Sequence, residues 1–272
     1  MKNLYLILFA IIIAGSCNPF GEDQNDINSK NKIHHQEKIQ SNDCDKTELI
    51  RVQEILVYKF NNSKAIYFET GMNIDANGSP HAFHPNNIGL DDLKNAGKPG
   101  NWFGIVTDNN ESTGIPFIQN DTNPAPGYFI SFTSLIDKSF NIKDPRRYIN
   151  SEMVPYIALP PEVMNAADVN VGDIGFIFNK SNNKLMFGIF ADVSPIDKIG
   201  GGSIALANGL GINPDARKGG IEDGIIYLIF PNSGNHKPKS IHEIDSIGAK
   251  LFNDWGGMNR WKNCLLQSKS LN

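Results

Sequence analysis

FGIFADVSPIDKIGGGSIALANGLG, residues 187–211, is the stretch whose reading decides the fold. An apolar run, read as a strand, ends at an acid, Asp192. A Ser-Pro turn follows, then the glycine triplet Gly200-Gly201-Gly202, read as a loop. Ser203 suits a helix N-cap, and 204–210 reads as a short apolar helix. A strand that delivers an acid onto a glycine-rich loop is a common way to build a site on a rigid scaffold. A solvated Asp at the corner of a strand-loop-helix connection is the simpler reading of the same residues.

Outward from this stretch the pattern is mostly β. Runs at 54–60 and 64–70 are β-rich and are separated by Asn61-Asn62-Ser63, a hairpin signal. Short runs at 103–107, 127–132 and 154–159 are bounded by Gly, Pro or Asn. Runs at 174–178 and 185–191 flank a second turn at 180–183, and 225–230 is apolar throughout until Pro231. Runs that are apolar on both faces predict strands covered on both sides, as in a closed or covered sheet. Helices are few: 204–210, and 241–255 with Ile244, Ile247, Leu251 and Trp255 on one stripe, plus a turn at 90–95. No internal repeat is present. The fold class is a β-dominated α+β domain, a barrel with a few peripheral helices.

The ends of the chain have another character. Residues 1–17, MKNLYLILFAIIIAGSC, have one charge, Lys2, and an apolar core too short to span a bilayer alone, the length of a signal peptide. Ala14-Gly15-Ser16 before Cys17 resembles the lipobox of bacterial lipoproteins, in which the cysteine is lipidated. Residues 18–45 are polar and poor in aromatics, a composition that predicts a disordered tether. Residues 46–272 remain as one domain. The expected location is the bacterial cell envelope, exported and membrane-anchored through Cys17. In that setting Cys44 and Cys264, before the first strand and after the last helix, are expected to form a disulfide joining the domain's two ends.

The formal net charge is −4 and no basic stripe with interleaved aromatics appears, which argues against nucleic acid as a partner. Gly200-Gly201-Gly202-Ser203 lacks the Lys-Ser/Thr of a P-loop, and no G-x-S-x-G elbow is present. No cofactor and no metal site are expected.

Seven pieces occur in one order: NIDANGSPHAFHP (73–85), GLDDLKNAGKPGNWFG (89–104), PAPGYFIS (124–131), DPRRYI (144–149), VPYIALP (154–160), FADVSP with IGGGSIALA (190–207), and GIIYLIFPNSG (224–234). In these pieces the chain resembles glycoside hydrolase family 75, the chitosanases. The resemblance implies a six-stranded, double-psi-type β-barrel core. It also implies an inverting cleavage of β-1,4-linked glucosamine-containing polysaccharide by an Asp and a Glu. The Asp corresponds to Asp192. The Glu position, in a loop of the form IGEGS or GEAS, holds Gly201, which has no side chain to move a proton. Asp197 is the nearest acid by sequence to replace it, although a solvated loop Asp is the simpler reading. In the first piece the family pattern is richer in Asp, of the form DIDADG; here Asn73 and Asn77 flank a single acid, Asp75.

Asn73, Asp75, Asn77, His84 and Trp102 are the candidate substrate contacts. His81 and His84 lie three apart but lack a third ligand in a fixed relation, so packing near the site is the reading for them, not metal. Asn101-Trp102-Phe103 offers either a stacking face for a sugar ring or core aromatics. Two functions follow. One is hydrolysis of an amino-sugar polymer by a monomeric lipoprotein. The other is a glycan-binding lipoprotein in which Gly201 marks the loss of the second catalytic carboxylate. A surface for another protein is a third possibility.

Overall fold

A computed structural model of the chain describes residues 41–266. The expected signal peptide 1–17, the expected lipidation at Cys17 and the expected tether as far as residue 40 lie outside the described residues. The fold begins inside the last residues assigned to the tether: Ser41–Cys44 forms a 3-10 turn.

Eight strands form one sheet. β1 (Lys46–Val52), β2 (Ile55–Phe60) and β3 (Ile66–Asp75) make an antiparallel meander. Two small strands, β4 (Gly97–Lys98) and β5 (Asn101–Trp102), pair only with each other. β6 (Tyr156–Leu159), β7 (Ile174–Asn179), β8 (Lys184–Val193), β9 (Gly201–Ser203) and β10 (Ile221–Phe230) complete the set. The order β3-β10-β7-β8-β6-β9 returns to β3 through a parallel β3–β9 pairing, which closes a six-stranded barrel. β6–β8 is also parallel; the other barrel pairings are antiparallel. The chain is thus a β-dominated α+β fold around a closed barrel.

The apolar runs are explained by what covers each face. Along β10, Ile225, Tyr227 and Ile229 point into the barrel core, while Ile226, Leu228 and Phe230 lie outside it. Those outer residues are covered by α3 (Ile241–Trp255) and α4 (Gly257–Trp261) through Phe252, Trp255 and Trp261. On β7 the same alternation puts Ile177 inside and Phe176 outside, where its ring stacks on Phe252 at 4.3 Å. Period-2 alternation is therefore hidden in the sequence because both faces are dry. α3 starts where Ser240 and Glu243 form a capping box. The other helices are α1 (Pro161–Ala167) and α2 (Ile204–Leu210), the latter capped by Ser203 through Leu206 N–H. Cys44 is bonded to Cys264, and Arg260 donates to the Asp43 and Trp255 carbonyls, so the two ends of the domain are tied together.

The structure corrects two local expectations and adds elements that the sequence does not show. The glycine triplet is not a loop: Gly201 and Gly202 enter the barrel as β9, wedged between β3 and β6. A Cβ at Gly201 would lie 2.9 Å from the Ala158 Cβ, and one at Gly202 2.9 Å from the Met72 sulfur. A side chain at Gly201 would force the seam with Ala158 to shift, and one at Gly202 would displace the end of Met72. The runs at 103–107 and 127–132 are not strands but isolated bridges, such as Ile105 with Ser131 and Ile118 with Phe129. Gly104, Gly114, Pro116, Pro124, Pro126 and Gly127 interrupt this region too often for a ladder to extend. Finally, β1, α1 and α4 were not foreseen, because their apolar positions are too few to show a period.

Candidate active site

A groove of about 830 Å³ crosses the end of the barrel where β3, β8 and β9 bring Asp75, Asp192 and Gly201 together. Asp192 stands near the end of β8, opposite Ala158 of β6. Between this pair and the pair Phe190–Ile157, β8 carries one residue more than β6, a bulge of the kind that re-aims side chains at barrel rims. Asp192 is 4% exposed.

Its carboxylate is held by four donors. Ser134 N–H and Oγ–H both reach Oδ1 at 2.9 Å, Val193 N–H reaches Oδ1 at 3.0 Å, and the Asn77 amide reaches Oδ2 at 2.8 Å. Ser134 is delivered by a loop that lies along β8, where Leu135 N–H donates to the Ala191 carbonyl. Nothing in the sequence signals Ser134, because its role depends on a contact 58 residues away.

Asp75 ends β3, where the parallel pairing to β9 sets it beside Ser203 and sets Asn73 beside Gly201. Asp75 Oδ1 accepts the Asn77 backbone N–H at 2.9 Å, an Asx turn, while the Asn77 side chain reaches across to Asp192. One asparagine therefore ties the two acids into one site. Tyr156, buried on β6, donates its hydroxyl to the Asn77 carbonyl at 3.0 Å and closes the floor beneath them.

Burial, and then the charge of Asp192, push the Asp75 carboxyl up to about 8. Burial also raises Asp192, against the pull of its donors. Asp192 has the fuller set of N–H and O–H partners, so in the pair it is the group that stays ionised. Asp75, with fewer donors, is the one that keeps a proton near neutral pH. A half-buried acid beside a buried carboxylate is the kind of set that divides acid and base roles by environment.

The other sequence candidates fall in different places. Asn73 is exposed on the groove wall. Asn77 is more than an acid that has lost its charge: an ionised Asp there could not donate to Asp192. Asp197 lines the rim but is exposed, with its N–H donating to Glu162 at 2.9 Å. It is not brought into the Asp75–Asn77–Asp192 network. Trp102 is core: it is 7% exposed and packs on Phe129. Phe103, its neighbour, is 52% exposed and lines the groove, so it is the aromatic face open to a sugar ring. His84 is not among the groove's lining residues. Its Nδ1 accepts the Asn86 N–H and its ring packs edge-on to Tyr128, while His81 pairs with Glu152 at 3.0 Å. Among the described residues no group of three or more His, Cys, Asp or Glu side chains is arranged to hold a metal ion.

Gly201 leaves the groove wall bare where the resemblance implies a Glu. The Cβ direction at this position runs into Ala158. A second cavity, of about 410 Å³, lies beyond Ser134 and is lined by Trp102, Phe132 and Tyr148. It contains no pair of acids.

A family model described as fungal chitosanase of glycosyl hydrolase group 75 matches residues 102–254, more than half of the chain. The match includes Asp192 and Gly201; Asp75 and Asn77 lie before it. No curated protein matches the chain.

Proposed function

Because the chain belongs to the chitosanase family of glycosyl hydrolase group 75, we propose that it hydrolyses a glucosamine-containing β-1,4-linked polysaccharide with Asp75 and Asp192 as its two carboxyl groups. The observation that carries this reading is the joining of buried Asp192 and half-buried Asp75 by Asn77 on the floor of an open groove. Gly201 removes the family's usual partner, and Asp75 supplies a carboxyl group from the neighbouring strand.

In the proposed reaction Asp75 gives its proton to the glycosidic oxygen as the C–O bond breaks. Asp192 takes a proton from the water that attacks the anomeric carbon from the opposite face. Asn77 and Ser134 hold Asp192 in its ionised form and fixed in direction. Tyr156 keeps the loop after β3 in place through the Asn77 carbonyl. Phe103 offers its ring to a sugar face. The stereochemical outcome is inversion, as the family resemblance implies.

The competing reading is a glycan-binding protein without turnover, and it rests on Gly201 and on the neutral Asn73 and Asn77. Reducing-end release from soluble chitosan separates the two. Native protein is expected to release ends, and Asp192→Asn to lose about 10²–10⁴-fold of that activity. The first-formed sugar, followed by NMR, is expected in the α configuration. Release by Asp192→Asn equal to native, or no release from chitosan and related amino-sugar polymers, overturns the hydrolase reading.

Export and lipid anchoring at Cys17 belong to the same proposal. The leader composition and the Cys44–Cys264 bridge, a bond that persists in oxidising compartments, support them. Incorporation of labelled fatty acid into the native chain but not into Cys17→Ser is the test.

A further inference from the structure

A carboxyl group outside the Asp75–Asn77–Asp192 network also lines the groove. It belongs to Asp91, in the chain between β3 and β4, just before the 3-10 turn Leu93–Ala96. Only 7% of Asp91 is exposed. Its backbone is clamped on both sides. The Asp91 N–H donates to the Ala82 carbonyl at 3.0 Å, and the Asp91 carbonyl accepts from Arg217 at 3.2 Å. The same guanidinium donates to the carbonyls of Asn87 and Gly89 and to the carboxylate of Asp92, so the segment around Asp91 is fixed.

The carboxyl group itself is only half satisfied. Its Oδ1 accepts the Asp92 N–H at 2.7 Å and the Asn95 amide at 2.8 Å. Its Oδ2 accepts from no donor among the described residues, and it is not sealed from solvent. No cation pairs with it among the described residues: Lys94, three residues on, lies 3.6 Å from Asp92, and Arg217 also pairs with Asp92. Burial raises the Asp91 carboxyl above its ordinary range, against the pull of its Asn95 and Asp92 donors. A carboxylate this dry, with one oxygen unpartnered, is stabilised when a cationic donor reaches it. The lining also holds exposed groups of both signs, Lys94, Lys198 and Lys218 against Glu54 and Asp197, where water competes for every contact. One fixed, dry oxygen discriminates better than these. Asp91 also stands close enough to the proposed pair to act on it. After burial and the charge of Asp192, the charge of Asp91 helps to raise the Asp75 carboxyl.

Resting on the hydrolase reading, we infer that Asp91 Oδ2 binds the ammonium of a glucosamine unit beside the bond that Asp75 and Asp192 cleave, and that this contact selects the free amino sugar. The ammonium offers a charge-assisted hydrogen bond to an oxygen that has no other donor. The hydroxyl at the same place in β-1,4-linked glucose offers a neutral one. The two sugars therefore differ most at Asp91, while their rings meet the rest of the groove alike.

The test is binding by the full chain carrying Asp192→Asn, in which turnover is slowed. Oligomers of β-1,4-linked glucosamine and β-1,4-linked glucose of equal length are compared. The glucosamine oligomer is expected to bind about tenfold or more tighter. Adding Asp91→Asn keeps the shape and the Oδ1 acceptor but sets an amide before the ammonium, and it is expected to remove most of that preference. A merely structural Asp91 would weaken both oligomers alike. A second measurement leaves Asp91 in place. The NMR signal of its side-chain carboxyl carbon is expected to move on addition of the glucosamine oligomer and to stay put with the glucose oligomer. Glucosamine bound no tighter than glucose, a preference that survives Asp91→Asn, or an Asp91 carboxyl that responds alike to both, overturns the inference. Native turnover keeps the two readings apart. Asp192-dependent cleavage of chitosan, with equal losses on both oligomers in Asp91→Asn, leaves the hydrolase standing and removes this inference. An Asp91-dependent preference with no cleavage of any amino-sugar polymer keeps the recognition and removes the hydrolase.

Discussion

Asn77 is the residue on which the site turns. Its backbone N–H reaches Asp75 and its amide reaches Asp192, so one residue links the two acids. Replacing Asp75 by Asn keeps the shape and removes the proton donor, and kcat on an amino-sugar polymer is expected to fall about 10²–10⁴-fold. In the native enzyme the alkaline limb of kcat/KM should lie near pH 8, where Asp75 gives up its proton. The same group links pH to stability. Its folded-state pKa is raised above the unfolded value near 4, so the stabilisation is full below about pH 4 and is lost as pH rises towards about 8. The native Tm should therefore fall between pH 5 and pH 9 by more than that of Asp75→Asn; equal slopes would contradict the assignment. The strand that carries Asp192 near its end was legible in the sequence, because an apolar run closing on an acid is a local pattern, while the role given to Asp192 came from the family resemblance. The place of Asp75 beside Asp192 was not legible, since it depends on a strand pairing that brings residue 75 to residue 203. Trp102 and Phe103 show the same limit: adjacent aromatics point to opposite surroundings, and only the fold says which one is dry.

At the scale of elements, β9 carries the main lesson. Three residues without an apolar pattern close the barrel, and glycine's lack of a side chain, which reads as a loop signal, is what lets the strand fit. The structure also changes what a restoring substitution would do. Gly201→Glu alone drives its Cβ against the Ala158 Cβ, an overpacking that costs about 1–3 kcal/mol. Ala158→Gly should relieve it, so the double variant is expected to be more stable than Gly201→Glu by denaturant unfolding. Additive effects of the two changes would mean that the seam is looser than described. The long runs of β7, β8 and β10 and the stripe of α3 were readable because length and apolar content are local properties. The segment 76–153, held by isolated bridges and small clusters of its own, was not, since its order comes from contacts between distant turns.

For the whole molecule, closure is the organising fact. The barrel closes through β3–β9, and the chain closes through Cys44–Cys264, bonded across 220 residues. Both cysteines pack under α4 with Trp261 and Phe60, away from the groove. Breaking the bridge with Cys44→Ser and Cys264→Ser is expected to lower unfolding stability by about 2–4 kcal/mol. Glycan cleavage below the new melting range should stay at the native level. A loss of cleavage in the folded double variant would mean that the staple also shapes the groove. The pairing was readable because two cysteines bracket the domain in a sequence that is expected to be exported.

The central claim is that Asp75 and Asp192 share one site and one proton near neutral pH. Titration of the side-chain carboxyl carbons by NMR, with native protein beside Asp75→Asn, tests it most directly. A carboxyl that titrates near pH 8 is expected in the native protein and is expected to be missing from Asp75→Asn. A native protein in which every carboxyl titrates in the ordinary acidic range would contradict it.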